Sequence, residues 1–108
     1  MPAFLVISQH APESCWMFNE KTRQIHLDLV RNLDSLLKKN NVTLLGCWFD
    51  LPGHTLYEVY DAPDAGAVQR MSMEPEIMRW ASFNTMKIVS VSSMNEVMGL
   101  LQHPGPQT

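Results

Sequence analysis

Two strand-like runs flank the pair Pro52-Gly53, VTLLGCWFDL at 42–51 and HTLYEVY at 54–60, and neither keeps a polar side. A half-buried strand alternates apolar with polar residues at a period of two. Here Leu45, Cys47 and Phe49 are expected on one face and Leu44, Gly46 and Trp48 on the other, while Leu56 and Tyr60 oppose Tyr57 and Val59. Pro-Gly marks a tight reversal, so 42–60 reads as a hairpin, with Gly53 expected to supply the positive φ. A sheet built on such a hairpin has two apolar faces, and both need cover.

The flanking segments say what covers one of them. AFLVISQ at 3–9 reads as a first strand, with His10 at its end. CWMFNEKTRQIHLDLVRNLDSLLKKN changes period: Phe18, Thr22, Ile25, Leu29, Leu33, Leu36 and Leu37 recur at three and four positions, predicting a helix of about six turns. Lys38-Lys39 and Asn40-Asn41 supply its stop. After the hairpin, DAPDAGAVQRM opens a second helix capped by Asp61 or Asp64, which Pro75 is expected to end. NTMKIVSVSS is the fourth strand, and MNEVMGLL a short last helix capped by Ser93 or Asn95. The order βαββαβ with a central hairpin predicts an α+β, ferredoxin-like split βαβ fold over residues 1–92, followed at 93–108 by a short C-terminal helix and tail.

Two helices on a four-stranded sheet dry one face only. A second copy of the sheet is the expected cover for the other, which makes a homodimer enclosing a barrel-like core the predicted assembly. With 108 residues there is one core, and an enclosed site must be small or shared between subunits.

Composition narrows the partners. A formal charge of -3, with Lys38-Lys39 the only adjacent cations, gives no basic stripe for nucleic acid or an anionic membrane. MPAFLVISQH has no basic flank and too short an apolar run for a secretory signal, and no run has the length of a membrane span, so a cytoplasmic protein is expected. Cys15 and Cys47 lie in no CxxC pair; two buried or half-buried thiols are expected rather than a disulfide.

The stretch GCWFDLPGHTLYEVYDAPDAGAVQRM, an aromatic strand, a tight turn, a second strand and an acidic Ala-Pro-Asp-Ala helix opening, resembles the dimeric α+β barrel superfamily. The resemblance covers about residues 3–92, near that superfamily's small uncharacterised or metal-binding families. It implies the ferredoxin-like fold and a dimer, but not one activity, since monooxygenases, muconolactone isomerases, polyketide cyclases, haem-active enzymes and metal binders share it.

Candidate chemistry centres on strand three. His54, Leu56, Glu58 and Tyr60 share a face by the period of two. Glu58 between apolar neighbours reads either as a desolvated proton carrier, with His54 the other candidate catalytic group, or as the partner of a cation such as Lys87 or Arg79. Trp16, Trp48, Trp80, Tyr57, Tyr60 and Phe83 read either as core or as an aromatic wall. In the second reading Trp48, Tyr60, Arg79 and Trp80 are the ligand- or cofactor-binding candidates, with MEPEIMRW as a pocket rim.

The resemblance further implies a metal reading. Nickel-binding proteins in the resembled group place histidines near His10 and His26, and with Glu58 or Cys47 as third ligand these would form an N/O/S site. The chain has no HxxH, HxxxH or CxxC spacing, and Glu58 stands where those proteins offer Cys. No GxGxxG, phosphate loop or GxSxG occurs, so no dinucleotide cofactor is implied, while haem or a quinone-like molecule needs no such motif. The expected function is a small homodimer binding a hydrophobic molecule or a divalent metal. The alternative is a cofactor-free isomerase, cyclase or monooxygenase acting on a small cyclic or aromatic substrate.

Overall fold

A computed structural model describes residues 2–103 and 105. Strands β1 (Ala3–His10), β2 (Thr43–Asp50), β3 (Thr55–Asp61) and β4 (Asn84–Val91) form one antiparallel sheet in the order β2-β3-β1-β4. Helix α1 (Glu20–Lys39) joins β1 to β2, and α2 (Ala65–Ser72) with α3 (Pro75–Ala81) joins β3 to β4. Helix α4 (Met94–Gln102) follows the sheet. This is the ferredoxin-like α+β arrangement read from the sequence.

Register assigns the faces. Phe4, Val6, Ser8 and His10 alternate as the buried side of β1, and their cross-strand partners Tyr60, Glu58 and Leu56 lie on the same, helix-covered face. Phe4, Val6, Tyr60, Val68, Met71 and Ile77 form the core there, with Leu29, Leu33 and Leu36 of α1 packed against it. At roughly 25 cal/mol per Å² of apolar surface removed from water, this layer is the main stabilising contact of the chain.

Four local expectations are corrected. A β-bulge between Leu44 and Gly46 makes Leu45 the extra residue, so Leu44 rather than Leu45 joins Cys47 and Phe49 on the helix face. Helix α1 begins at Glu20, because the Asn19 side chain accepts from Thr22 N at 3.1 Å and caps it there; Phe18 stays outside and 84% exposed. Helix α2 ends at Ser72, ahead of Pro75 as expected, but the segment after it is itself helical, with Pro75 opening α3 as its first residue. In the hairpin turn the left-handed residue is His54, at φ 52°, while Gly53 is needed for space: a Cβ there would meet Asp50 Oδ2 at 2.2 Å. Asp50 accepts from Gly53 N at 3.1 Å, which closes the turn.

The remaining helix caps follow the sequence. Asp64 accepts from Ala67 N at 2.8 Å, and Ser93 and Glu96 form a capping box at α4. Cys15 and Cys47 are both free thiols, Cys15 buried and Cys47, on the edge strand, exposed rather than half-buried. Among the described residues no helix is long and apolar enough to cross a membrane.

Candidate functional site

Between the helices and the sheet lies a cavity of about 100 Å³, with walls from α1, α2, α3 and the helix face of the sheet. Leu33, Val68, Met71 and Ile77 make most of its surface apolar. Val30, Cys47 and Phe49, all exposed, place its mouth beside the β2 edge. An enclosed apolar cavity of about 150 Å³ takes up benzene, so this space suits a small ring or branched group. A haem-sized group, which needs a pocket of several hundred Å³, does not fit.

Two polar side chains converge inside it. Tyr60 donates its hydroxyl to Glu58 Oε2 at 2.5 Å, both pointing to the helix side because they sit two residues apart on β3. Burial holds the Glu58 carboxyl above the ordinary carboxylate range, and the Tyr60 bond only partly offsets this. Burial and then the neighbouring carboxylate push the Tyr60 phenol strongly up. The Cys47 thiol, although its residue is exposed, is raised by desolvation and by Glu58 to about 11, so it is a neutral thiol at pH 7. The cavity thus holds a carboxyl ready to carry a proton beside a hydroxyl that keeps its own.

The end of the cavity is closed by aromatic rings. Trp80 Nε1 donates to His26 Nδ1 at 3.1 Å, and His26 stacks on Trp16 with centroids 3.9 Å apart and planes 8° from parallel. Desolvation, then the nearby His10, lowers the His26 pKa, in keeping with a neutral ring whose Nδ1 accepts. Beyond Trp16, His10 lies at 5.2 Å and its ring is 5.4 Å from His54. Burial, then His54, lowers the His10 pKa, against the opposing pull of Asn84.

The expected site residues divide among three places. Glu58, Tyr60, Trp80 and His26 line the cavity. His54 does not join Glu58: its position in the turn before β3 sends it to His10 and Cys15 instead. Trp48 lies on the opposite, open face of the sheet, 60% exposed, because it pairs with Tyr57 in the register. Arg79 is exposed and lines a separate surface cleft with Asp28, Asn32 and Glu76, outside the cavity. Lys87 is on the open face opposite Ile7, so among the described residues Glu58 has no cationic partner and its bond is to Tyr60. His10, His26 and Glu58 do not gather as a ligand set. Among the described residues the one group with metal-ligand proximity is His10, Cys15 and His54. Cys15 was invisible to spacing rules, since its nearness to His54 comes through the fold.

A family model described as "Domain of unknown function (DUF3303)" matches residues 4–104. The chain belongs to this family. No curated protein matches it. Among solved structures, one described as an antibiotic biosynthesis monooxygenase superposes on this DUF3303 chain with a TM-score of 0.58 at 12% identity, covering 87% of this chain and 99% of that one. At that identity the likeness establishes the fold, ferredoxin-like α+β, and nothing of the chemistry. PA3566 from Pseudomonas aeruginosa matches at 16% identity and a TM-score of 0.45, over 86% of this chain and 94% of that one.

Proposed function

We propose that this DUF3303 protein is a homodimer that takes up a small, largely apolar molecule between its helices and sheet, with Glu58 and Tyr60 as the polar anchor. The observation that carries the reading is the bonded Glu58–Tyr60 pair inside an otherwise apolar cavity that opens beside β2. A neutral Glu58 can donate to a carbonyl or ether oxygen of a bound molecule, while the walls take its hydrocarbon part. The dimer rests on the open face of the sheet, where Trp48, at 60% exposure, and Tyr57 are exposed and Leu5, Ile7 and Val59 lie half-buried beside them. Helix α4 adds Met94, Leu100 and Leu101 to the uncovered apolar surface. The radius of gyration, 16.2 Å, exceeds the ~13 Å of a compact chain of this length, as an arm reaching toward a second copy would make it.

The test is native mass spectrometry of tag-free protein, followed by a thermal-shift panel of small phenols, cyclic ketones and lactones. A dimer that retains or binds such a molecule is expected, and Val68→Phe, which fills the cavity, should abolish binding. Undiminished binding by the filled variant would move the site elsewhere.

A second reading is favoured by the raised Glu58 pKa: cofactor-free proton transfer, as in an isomerase, cyclase or monooxygenase of a small cyclic or aromatic substrate. Glu58 would shuttle the proton and Tyr60 would hold the substrate oxygen. Glu58→Gln should then keep ligand binding while stopping turnover, and full turnover in that variant would exclude the role.

A further inference from the structure

Three segments distant in sequence bring soft and borderline donors to one buried point. His10 ends β1, Cys15 follows the short 3-10 turn Pro12–Ser14, and His54 occupies the hairpin turn between β2 and β3. One ligand atom from each lies within 4.8 Å of the other two. His10 and Cys15 are 8% and 4% exposed. His10 Nε2 and His54 Nδ1 are buried and have no hydrogen-bond partner. An unmet ring nitrogen in a dry interior is unfavourable, and two of the three residues carry one.

The backbone holds all three positions. His10 N donates to His54 O at 3.1 Å, tying the strand end to the turn. The Cys15 carbonyl accepts from Phe18 N and Asn19 N at 3.0 and 2.8 Å, and Arg23 fastens the next two carbonyls, those of Trp16 and Met17, at 2.8 and 3.0 Å. The left-handed φ of His54, an uncommon conformation for a residue with a side chain, is what turns its ring toward the other two donors. Asn84 faces His10 across the β1–β4 register with its own Oδ1 buried and unbonded, placed to orient the imidazole.

The space between the donors discriminates among occupants. The void lined by His10, Cys15, Met17 and His54 measures about 10 Å³, the lower limit for a single water, which would also need two to four partners. A bare ion is smaller. Bonds of about 2.0–2.3 Å in a tetrahedral or trigonal site put ligand atoms roughly 3.3–3.7 Å apart, so side chains whose ligand atoms already lie within 4.8 Å need to close by about an ångström at most.

We infer that His10, Cys15 and His54 form an N₂S site for one thiophilic d10 ion, Zn²⁺ or Cu⁺. Two imidazoles and a thiolate favour these ions over Mg²⁺ or Ca²⁺. Binding replaces the Cys15 thiol proton by the ion; that proton leaves to solvent, and both rings bind as neutral imidazoles. The site is separate from the cavity: Trp16 stands between it and His26. Its function does not depend on the proposed ligand.

The test titrates tag-free protein with Zn²⁺ against a chromophoric chelator, and in a second arm with Cu⁺ without oxygen. Co²⁺ substitution reports a thiolate ligand through its sulfur-to-cobalt charge-transfer band. One equivalent per chain of either ion is expected, with affinity falling at least about 100-fold in Cys15→Ser and in His54→Asn, while Cys47→Ser and His26→Gln bind as wild type. His54→Asn keeps a residue tolerant of the left-handed turn, so it reads the site even where Cys15→Ser fails to fold. Failure of both ions to bind, absence of the charge-transfer band, or equal affinity in His54→Asn would overturn the assignment.

Discussion

Tyr60 donates to Glu58 Oε2 from two residues further along the same face of β3, so one strand supplies both the carboxyl of the cavity and its only hydrogen-bond donor among the described residues. The pair fixes the sign of a pH effect. In the unfolded chain Glu58 titrates near 4.5, and burial raises it in the folded chain. Between those two values the folded state holds a proton that the unfolded state has lost, so unfolding free energy falls as pH rises through that window and stays lower above it. Glu58→Gln removes the titration while keeping the shape. Urea unfolding from pH 4.5 to 8 should show the variant gaining stability relative to wild type as pH rises, and parallel profiles would contradict a desolvated Glu58.

The Tyr60 bond pulls the other way on the same carboxyl, lowering what burial raises. Tyr60→Phe should therefore shift the Glu58 midpoint further up, measured by carboxyl carbon NMR. It should also cost about 1–3 kcal/mol, since Glu58 Oε2 is left unpaired. A downward shift would mean that the bond favours the protonated acid.

Legibility in the sequence followed the range of the forces involved. The helix stripe from Thr22 to Leu37, the caps at Asp64 and Ser93 and the βαββαβ order are local or periodic, and all are present in the fold. The face of Glu58 and Tyr60 followed from the period of two. That same rule, carried through a bulge, misplaced Leu45, and carried one residue past the strand, misplaced His54, whose left-handed backbone breaks the alternation. Trp48 shares its residue type with the cavity-lining Trp80 but not its face, and only register separates them. Cys15 meets His54 by tertiary folding across 39 residues of chain, and no spacing motif encodes that.

The Trp80–His26 bond couples α3 to α1 at the closed end of the cavity. Trp80→Phe removes the donor and part of a buried ring. The expected cost is about 2–3 kcal/mol, about 1 from the bond and the rest from packing. Trp80 then no longer donates to Nδ1, which removes a stabilisation of the neutral ring, and His26, held down by burial and then by His10, should titrate closer to its ordinary value of 6.5, which histidine NMR would follow. An unmoved His26 midpoint would show that the bond has no hold on the ring's protonation.

Leu5 and Val6 are neighbours on the central strand that face opposite sides of the sheet, and they separate folding from assembly. Val6 is 3% exposed in the helix-side core, opposite Glu58 and Ile88. Val6→Asp buries a second carboxyl there beside Glu58, with no cation to pair it, and should cost about 3–5 kcal/mol, enough to unfold a domain of marginal stability. Leu5, opposite Val59 and Val89, lies on the open face, where a lysine amine can reach water in a single chain but not between two stacked sheets. Leu5→Lys should therefore keep the circular dichroism of the wild type while converting a dimer to one chain at micromolar concentration, by sedimentation. Deleting the chain after Ser93 removes the uncovered apolar side chains of α4 and should weaken the proposed dimer less severely, because the sheet face remains. If Leu5→Lys sediments as the wild type does, the two sheets do not meet through this face, and Trp48 and Tyr57 are exposed for some other reason.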